Sequence, residues 1–114
     1  PCWMKTDHGP MVAMPYTFEL NDVPIYAVQN SSTDEMFRRL EGTLAIFDRE
    51  TANQPKVLTL ALHPHLIGVA HLAYQFERCL DLLLARDDVV FMTSSQIGDW
   101  FVAADGTGGS GLDG

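Results

Sequence analysis

Apolar residues fall along the chain in short bursts, and their spacing changes from one burst to the next. Met36, Leu40, Leu44 and Phe47 recur at intervals of four, four and three. That is one stripe on a helix running to about Arg49. Just ahead, Ser32-Thr33-Asp34-Glu35 has the form of a capping box, in which the Ser32 hydroxyl accepts from the Glu35 amide and the Glu35 carboxylate accepts from the Ser32 amide. Gly42 weakens this helix by roughly 1 kcal/mol relative to alanine, which packing of the stripe offsets. A second helix is expected from about His71 to Ala85, with Phe76, Leu80, Leu83 and Leu84 toward the core. Thr93-Ser94-Ser95-Gln96 repeats the capping-box form before a closing helix with Ile97, Phe101 and Ala104 on its apolar face, beside Trp100.

Between the helices the pattern becomes nearly continuous. Val57 to Leu62, after Pro55, and Val89 to Met92, after the Arg86-Asp87-Asp88 turn, read as strands covered on both faces. From Pro1 to about Gln29 there is no helical or strand period apart from Met11-Val12-Ala13-Met14, so this stretch reads as a long loop around a short strand. Such loops are usually binding elements or disordered; Pro15, Tyr16, Phe18, Pro24, Ile25 and Tyr26 argue against disorder. The order loop or strand, helix, strand, helix, strand, helix predicts an α/β unit with parallel strands and right-handed crossovers. So small a parallel sheet leaves both edges exposed, and it is expected to pack on further strands.

Composition narrows the class. The 114 residues, 46% hydrophobic and 19% charged, allow one ordinary globular core, and no stretch approaches the ~20 apolar residues of a membrane span. A formal net charge of -8, from 15 acidic and 7 basic residues, opposes phosphate backbones and excludes nucleic acid as the expected partner. Cys79, among Phe76, Leu80 and Leu83, reads as a small buried hydrophobe. No disulfide framework is indicated, and the compartment stays open. The opening Pro1-Cys2-Trp3-Met4 has neither an initiator Met nor a signal sequence, so an upstream segment is expected. Residues 105–114 are glycine-rich and read as a flexible tail on a domain of residues 1–104.

The chemistry-bearing candidates lie in two places. His63 follows the apolar run directly, at the strand end where parallel α/β architectures bind ligands. Pro64 lacks an amide and ends regular pairing, releasing His63 and His65 to the rim, and Gly68 permits a turn. Imidazole exchanges protons near neutral pH, so His63 could protonate a leaving amine or take a proton from water; a packing or capping histidine is the plainer alternative. His63-x-His65 also has metal-pair spacing, but no third ligand of clear spacing completes it and Pro64 breaks the strand geometry it needs. No metal site within the chain is expected. Glu19, Asn21 and Asp22, bracketed by Tyr16 and Tyr26, suit a polar small molecule or a sugar, or else form a solvated Asn-Asp turn.

Four segments, in order, resemble the C-terminal part of polysaccharide deacetylases of the NodB-homology family. They are Pro1-Cys2-Trp3-Met4-Lys5-Thr6, Val12-Ala13-Met14-Pro15-Tyr16-Thr17-Phe18-Glu19-Leu20-Asn21-Asp22, Leu62-His63-Pro64-His65-Leu66-Ile67-Gly68 and Phe91-Met92-Thr93-Ser94-Ser95-Gln96-Ile97-Gly98-Asp99-Trp100. Within the family they look most like the branch of peptidoglycan-deacetylase-like proteins and cofactor-independent allantoinases. The resemblance implies the C-terminal portion of a distorted (β/α) barrel that hydrolyses a non-peptide C–N bond, typically removing acetyl from an N-acetylated carbohydrate. It further implies His63 as general acid on the leaving amine, with Tyr16, Glu19, Asn21, Asp22 and His65 on the substrate side. The family's N-terminal Asp-Asp and His-x-x-x-His metal motifs are absent here. The resemblance therefore implies no cofactor held within this chain, with zinc or another divalent metal left to the full-length protein. The partners expected are a glycan or small-molecule substrate and the missing N-terminal half of the barrel, with a homo-oligomer left open. The fragment alone is expected to be inactive. A non-catalytic binding or structural subunit of the same fold is the competing reading, and an amidohydrolase-like barrel using His63 and His65 as metal ligands ranks last.

Overall fold

A computed structural model describes residues 1–113 and divides the chain into two compact units, one formed by Pro1–Pro15 with the segment from Val90 onward, the other by Tyr16–Val89. In the first unit, β1 (Cys2–Thr6) and β2 (Gly9–Ala13) form an antiparallel hairpin pairing Cys2 with Ala13 and Thr6 with Gly9. The long loop expected over the first residues is thus a hairpin here. Its turn is closed by side-chain chemistry: the Thr6 hydroxyl donates to the Gly9 carbonyl at 2.7 Å and accepts from the His8 amide at 3.2 Å, while Gly9 adopts φ +109°, which a Cβ would disfavour. Trp3 packs against Phe101 of the closing helix, with ring centroids 5.7 Å apart.

That closing helix spans Ser94–Asp105 and carries the expected capping box. Thr93 Oγ1 accepts from the Gln96 amide at 3.2 Å and Gln96 Oε1 accepts from the Thr93 amide at 2.8 Å. Gly106, at φ +66°, ends the helix in the left-handed conformation. Residues set outside the fold by composition take part in it. Asp105 accepts from the Trp3 indole at 2.8 Å, a short 3₁₀ turn spans Ser110–Asp113, and Gly109 is buried where a Cβ would press on Pro10.

The second unit holds the core. Its first long helix, α1 (Glu35–Glu50), buries Met36, Leu40 and Leu44 as the stripe predicts. It packs on α3 (Ala70–Leu84), which buries Leu72, Cys79 and Leu83 and packs Phe76 beside them. Leu84, expected inward, is 68% exposed, because it follows Leu83 directly and so lies about 100° around the helix from the 72-76-79-83 stripe. The Ser32 capping box does not form. Ser32 Oγ donates instead to the Asp34 carboxylate at 2.7 Å, and Glu35 is engaged by Arg38 and Arg39 at 2.6 and 2.8 Å. The Glu35 amide that the box requires is bonded to the Ser32 carbonyl at 3.1 Å, and the Glu35 carboxylate is held by two guanidinium groups, so neither half of the box closes.

Neither of the two expected strands forms a regular strand among the described residues. In Val57 to Leu62 the alternate residues Leu58, Leu60 and Leu62 pack on the core, and on the other face Ala61 is buried while Val57 and Thr59 are half-buried. Among the described residues its sheet pairing is one parallel bridge, Asn21 to Ala61. In the second segment Val89 packs on the core, whereas Val90, Phe91 and Met92 are exposed, and no ladder partner lies beside them among the described residues. A parallel strand is stable only with hydrogen-bonded neighbours and helices on its faces. The predicted parallel sheet is thus represented by the one bridge, and the regular sheet by the antiparallel hairpin. No helix among the described residues is long and apolar enough to cross a membrane.

Candidate functional site

The parallel bridge between Asn21 and Ala61 brings the site together. Ala61 donates its amide to Leu20 O at 2.9 Å and its carbonyl accepts from the Asp22 amide at 3.1 Å, while the Thr17 hydroxyl donates to Thr59 O at 2.9 Å. The 16–22 loop is thereby laid along the segment that ends in His63. Immediately after it, Val23–Val28 forms a π-helix with Pro24 in its first turn, a rare backbone form that is frequent at functional sites. The Asn21 side-chain oxygen accepts from the Val23 amide at 3.0 Å and closes that turn.

Asp22 is fully buried and both of its oxygens point at one residue. Oδ2 accepts from the His63 backbone amide at 2.6 Å, and Oδ1 lies 2.7 Å from His63 Nδ1. A carboxylate can only accept, so Nδ1 carries the ring proton. Two donors compensate the burial of the charge, and the ring is fixed in one tautomer and one orientation. His63 itself has extended φ/ψ of -122° and 120° and serves as N-cap of α2 (Pro64–Ile67), its carbonyl accepting from the Leu66 and Ile67 amides. Pro64 fits the first helical position, where no amide is needed. Gly68 ends the turn where a Cβ would collide with the Pro64 carbonyl oxygen. The His63 side chain is 39% exposed, and Nε2 is the ring nitrogen that Asp22 leaves for chemistry.

Sequence expectation and geometry diverge for two residues. Asp22, expected to face a substrate, has both oxygens committed to His63. Asn21, also expected there, is buried and splits its amide between Val23 and the Tyr16 hydroxyl, which accepts from Nδ2 at 3.3 Å. Tyr16, Glu19 and His65 are exposed. The His65 ring stands edge-on to that of His63 with centroids 5.9 Å apart. Tyr26, the other aromatic bracket, is turned away by a hydrogen bond to Thr33 O at 2.8 Å, and burial pushes its phenol pKa up. The partner of His63 was missed because 41 residues separate it from Asp22 and no local spacing connects them.

Among the described residues no three His, Cys, Asp or Glu side chains are grouped as ligands, and Asp22 is already spent on His63. His63 and His65 supply two nitrogens, one short of the three protein ligands of a typical catalytic zinc.

No family model matches the chain, and no curated protein does. Among solved structures it resembles a probable polysaccharide deacetylase from Pseudomonas aeruginosa PAO1, with TM-score 0.79 and 24% sequence identity over 90% of this chain. The likeness at that identity is one of fold. The chain covers 35% of the length of that protein.

Proposed function

We propose that these residues belong to a polysaccharide-deacetylase-type hydrolase of non-peptide C–N bonds, in which His63 is the general acid and the barrel is completed by residues outside this chain. The observation that carries the reading is the His63–Asp22 pair, a half-exposed imidazole held through Nδ1 by a fully buried carboxylate. Such an arrangement fixes which ring nitrogen faces a substrate, as the carboxylate of a Ser-His-Asp triad does for its histidine. Hydrolysis then has water add to the amide carbonyl. As the C–N bond breaks, the nitrogen takes the Nε2 proton of His63, leaving a neutral imidazole that still donates through Nδ1 to Asp22. The exposed Tyr16, Glu19 and His65 are assigned to the substrate, and Asn21 to holding the Tyr16 hydroxyl.

Water activation is assigned to groups outside this chain. A zinc or other divalent ion bound there would lower the pKa of water and polarise the carbonyl. The substrate class proposed is an N-acetylated carbohydrate or a related amide, and the branch proposed is that of the peptidoglycan-deacetylase-like proteins and cofactor-independent allantoinases. The fold likeness supports the substrate class, and the four sequence segments support the branch.

The test is His63→Ala in the full-length protein, assayed for acetate release from N-acetylglucosamine oligomers and for ureide hydrolysis. Loss of turnover by roughly 10²-fold or more, with substrate binding and thermal unfolding retained, is the expected result for a general acid. Unchanged turnover would sink it, and binding without any turnover in the unmutated protein would favour a non-catalytic subunit.

A further inference from the structure

Arg39, on the α1 face toward the 16–22 loop, reaches three segments with one guanidinium. Nε donates to Glu35 Oε1 at 2.8 Å, Nη1 to the Glu19 carbonyl at 3.1 Å and Nη2 to Gln29 Oε1 at 2.7 Å. Glu35 is its own helical neighbour, but Glu19 lies three residues before Asp22, and Gln29 caps the π-helix that begins just after it. The stretch bearing Asp22 is therefore held from two sides. The backbone of Leu20 and Asp22 is bonded to Ala61, and Arg39 fixes the start of the stretch and the end of the following turn to α1. An ordinary i,i+4 ion pair with Glu35 would use one edge of the guanidinium. Here the remaining edge is turned onto a main-chain carbonyl and an amide oxygen.

We infer that Arg39 is a positioning residue for the His63–Asp22 pair, its planar fork fixing both flanks of the turn that presents the Asp22 carboxylate to His63. The inference rests on the reading of His63 as general acid. The fork matters more than the charge, because a lysine ammonium is a point donor on a flexible stem and cannot span the three acceptors in one plane. Freed at Glu19 and Gln29, the turn would still be tethered to Ala61, but the carboxylate could tilt. Displacements on the order of 1 Å at a reacting group can cost ~10²-fold in rate.

The experiment compares Arg39→Ala, Arg39→Lys and Gln29→Ala with the unmutated full-length protein. Ring-nitrogen NMR reads the His63 tautomer and the exchange of its Nδ1 proton, amide exchange reads α1 and α3, and acetate release gives kcat and KM. Expected are faster exchange of the His63 Nδ1 proton in all three variants, and a kcat loss of roughly tenfold or more in Arg39→Ala. Arg39→Lys should fail to restore either, and amide protection of α1 and α3 should be kept. Gln29→Ala severs one arm without touching the helix pair, so it remains informative if Arg39→Ala does not fold. A His63 proton signal unchanged in Gln29→Ala and Arg39→Lys would overturn the inference. So would full rescue by lysine, which would make the role one of charge. His63→Ala in the same assay separates the two levels. Normal turnover there defeats the general-acid reading, whereas an inactive His63→Ala beside unaffected Arg39 and Gln29 variants defeats the positioning role alone.

Discussion

Replacing Asp22 with Asn exchanges one carboxylate oxygen for an NH₂ group with almost no change in volume. The site presents two donors to that side chain, the His63 amide at 2.6 Å and Nδ1 at 2.7 Å, and an amide has only one acceptor for them. The backbone N–H cannot change its protonation, whereas the ring can move its proton from Nδ1 to Nε2. Asn is therefore expected to keep the backbone bond and turn its NH₂ to Nδ1, which then accepts, inverting the tautomer. In the imidazolium form both nitrogens carry protons, so donor faces donor and the acidic form of the ring is the one penalised. Losing a hydrogen bond to a charged group costs about 1.5–3 kcal/mol. At 1.4 kcal/mol per decade that is roughly 10- to 150-fold in turnover, with ~10⁴-fold as the upper reference from the equivalent change in a Ser-His-Asp triad. Stability should change little, because relief from burying a charge opposes the lost bond. The assay pairs ring-nitrogen NMR of His63 with acetate release by the full-length Asp22→Asn protein. A His63 that keeps its proton on Nδ1, or a variant that turns over normally, would refute the reasoning.

Other consequences can be checked on the chain itself. Thr93→Ala removes the acceptor for the Gln96 amide and should cost about 1 kcal/mol, read as a shift of the denaturant midpoint. Leu40→Ala opens the fully buried centre of the α1 stripe and should cost about 2–5 kcal/mol by the same measurement. Cys79 is buried, and desolvation raises its thiol to about 11, so a thiol reagent at neutral pH should label the exposed Cys2 and reach Cys79 only on unfolding. Equal labelling of both thiols in the folded chain would contradict the packing. Hydrogen bonds from Ser32 to Asp34, from Arg39 and Arg38 to Glu35, from Arg86 to Asp88 and from Thr107 and Trp3 to Asp105 hold those carboxyl pKa values below their ordinary range. Their folded-state pKa values are depressed, so their contribution is present above the unfolded values near ~4 and disappears as pH falls through the folded ones. The melting temperature should therefore fall on acidification below about pH 4 and flatten above it.

The sequence by itself determined whatever depends on neighbours a few residues apart. The 36-40-44 stripe, the Thr93–Gln96 capping box and the Pro64 and Gly68 that open and end the turn after His63 all act within two turns of chain, so periodicity and residue type specify them. It also singled out His63, because a histidine at the end of an apolar run is a local feature. Competition decided the rest. Ser32 and Glu35 satisfied the capping pattern, yet the Glu35 amide went to the Ser32 carbonyl and the Glu35 carboxylate to Arg38 and Arg39. Thr6 and Gly9 closed a hairpin whose strands show no alternation to announce it. The partner of His63 became visible only in three dimensions. Asp22 read as a substrate-side carboxylate in a polar loop, and nothing local connected it to a histidine 41 residues away. The bridge between Asn21 and Ala61 creates that connection by laying one segment beside the other. Tertiary structure alone could do this, because a buried carboxylate is tolerable only where the fold delivers donors to both of its oxygens.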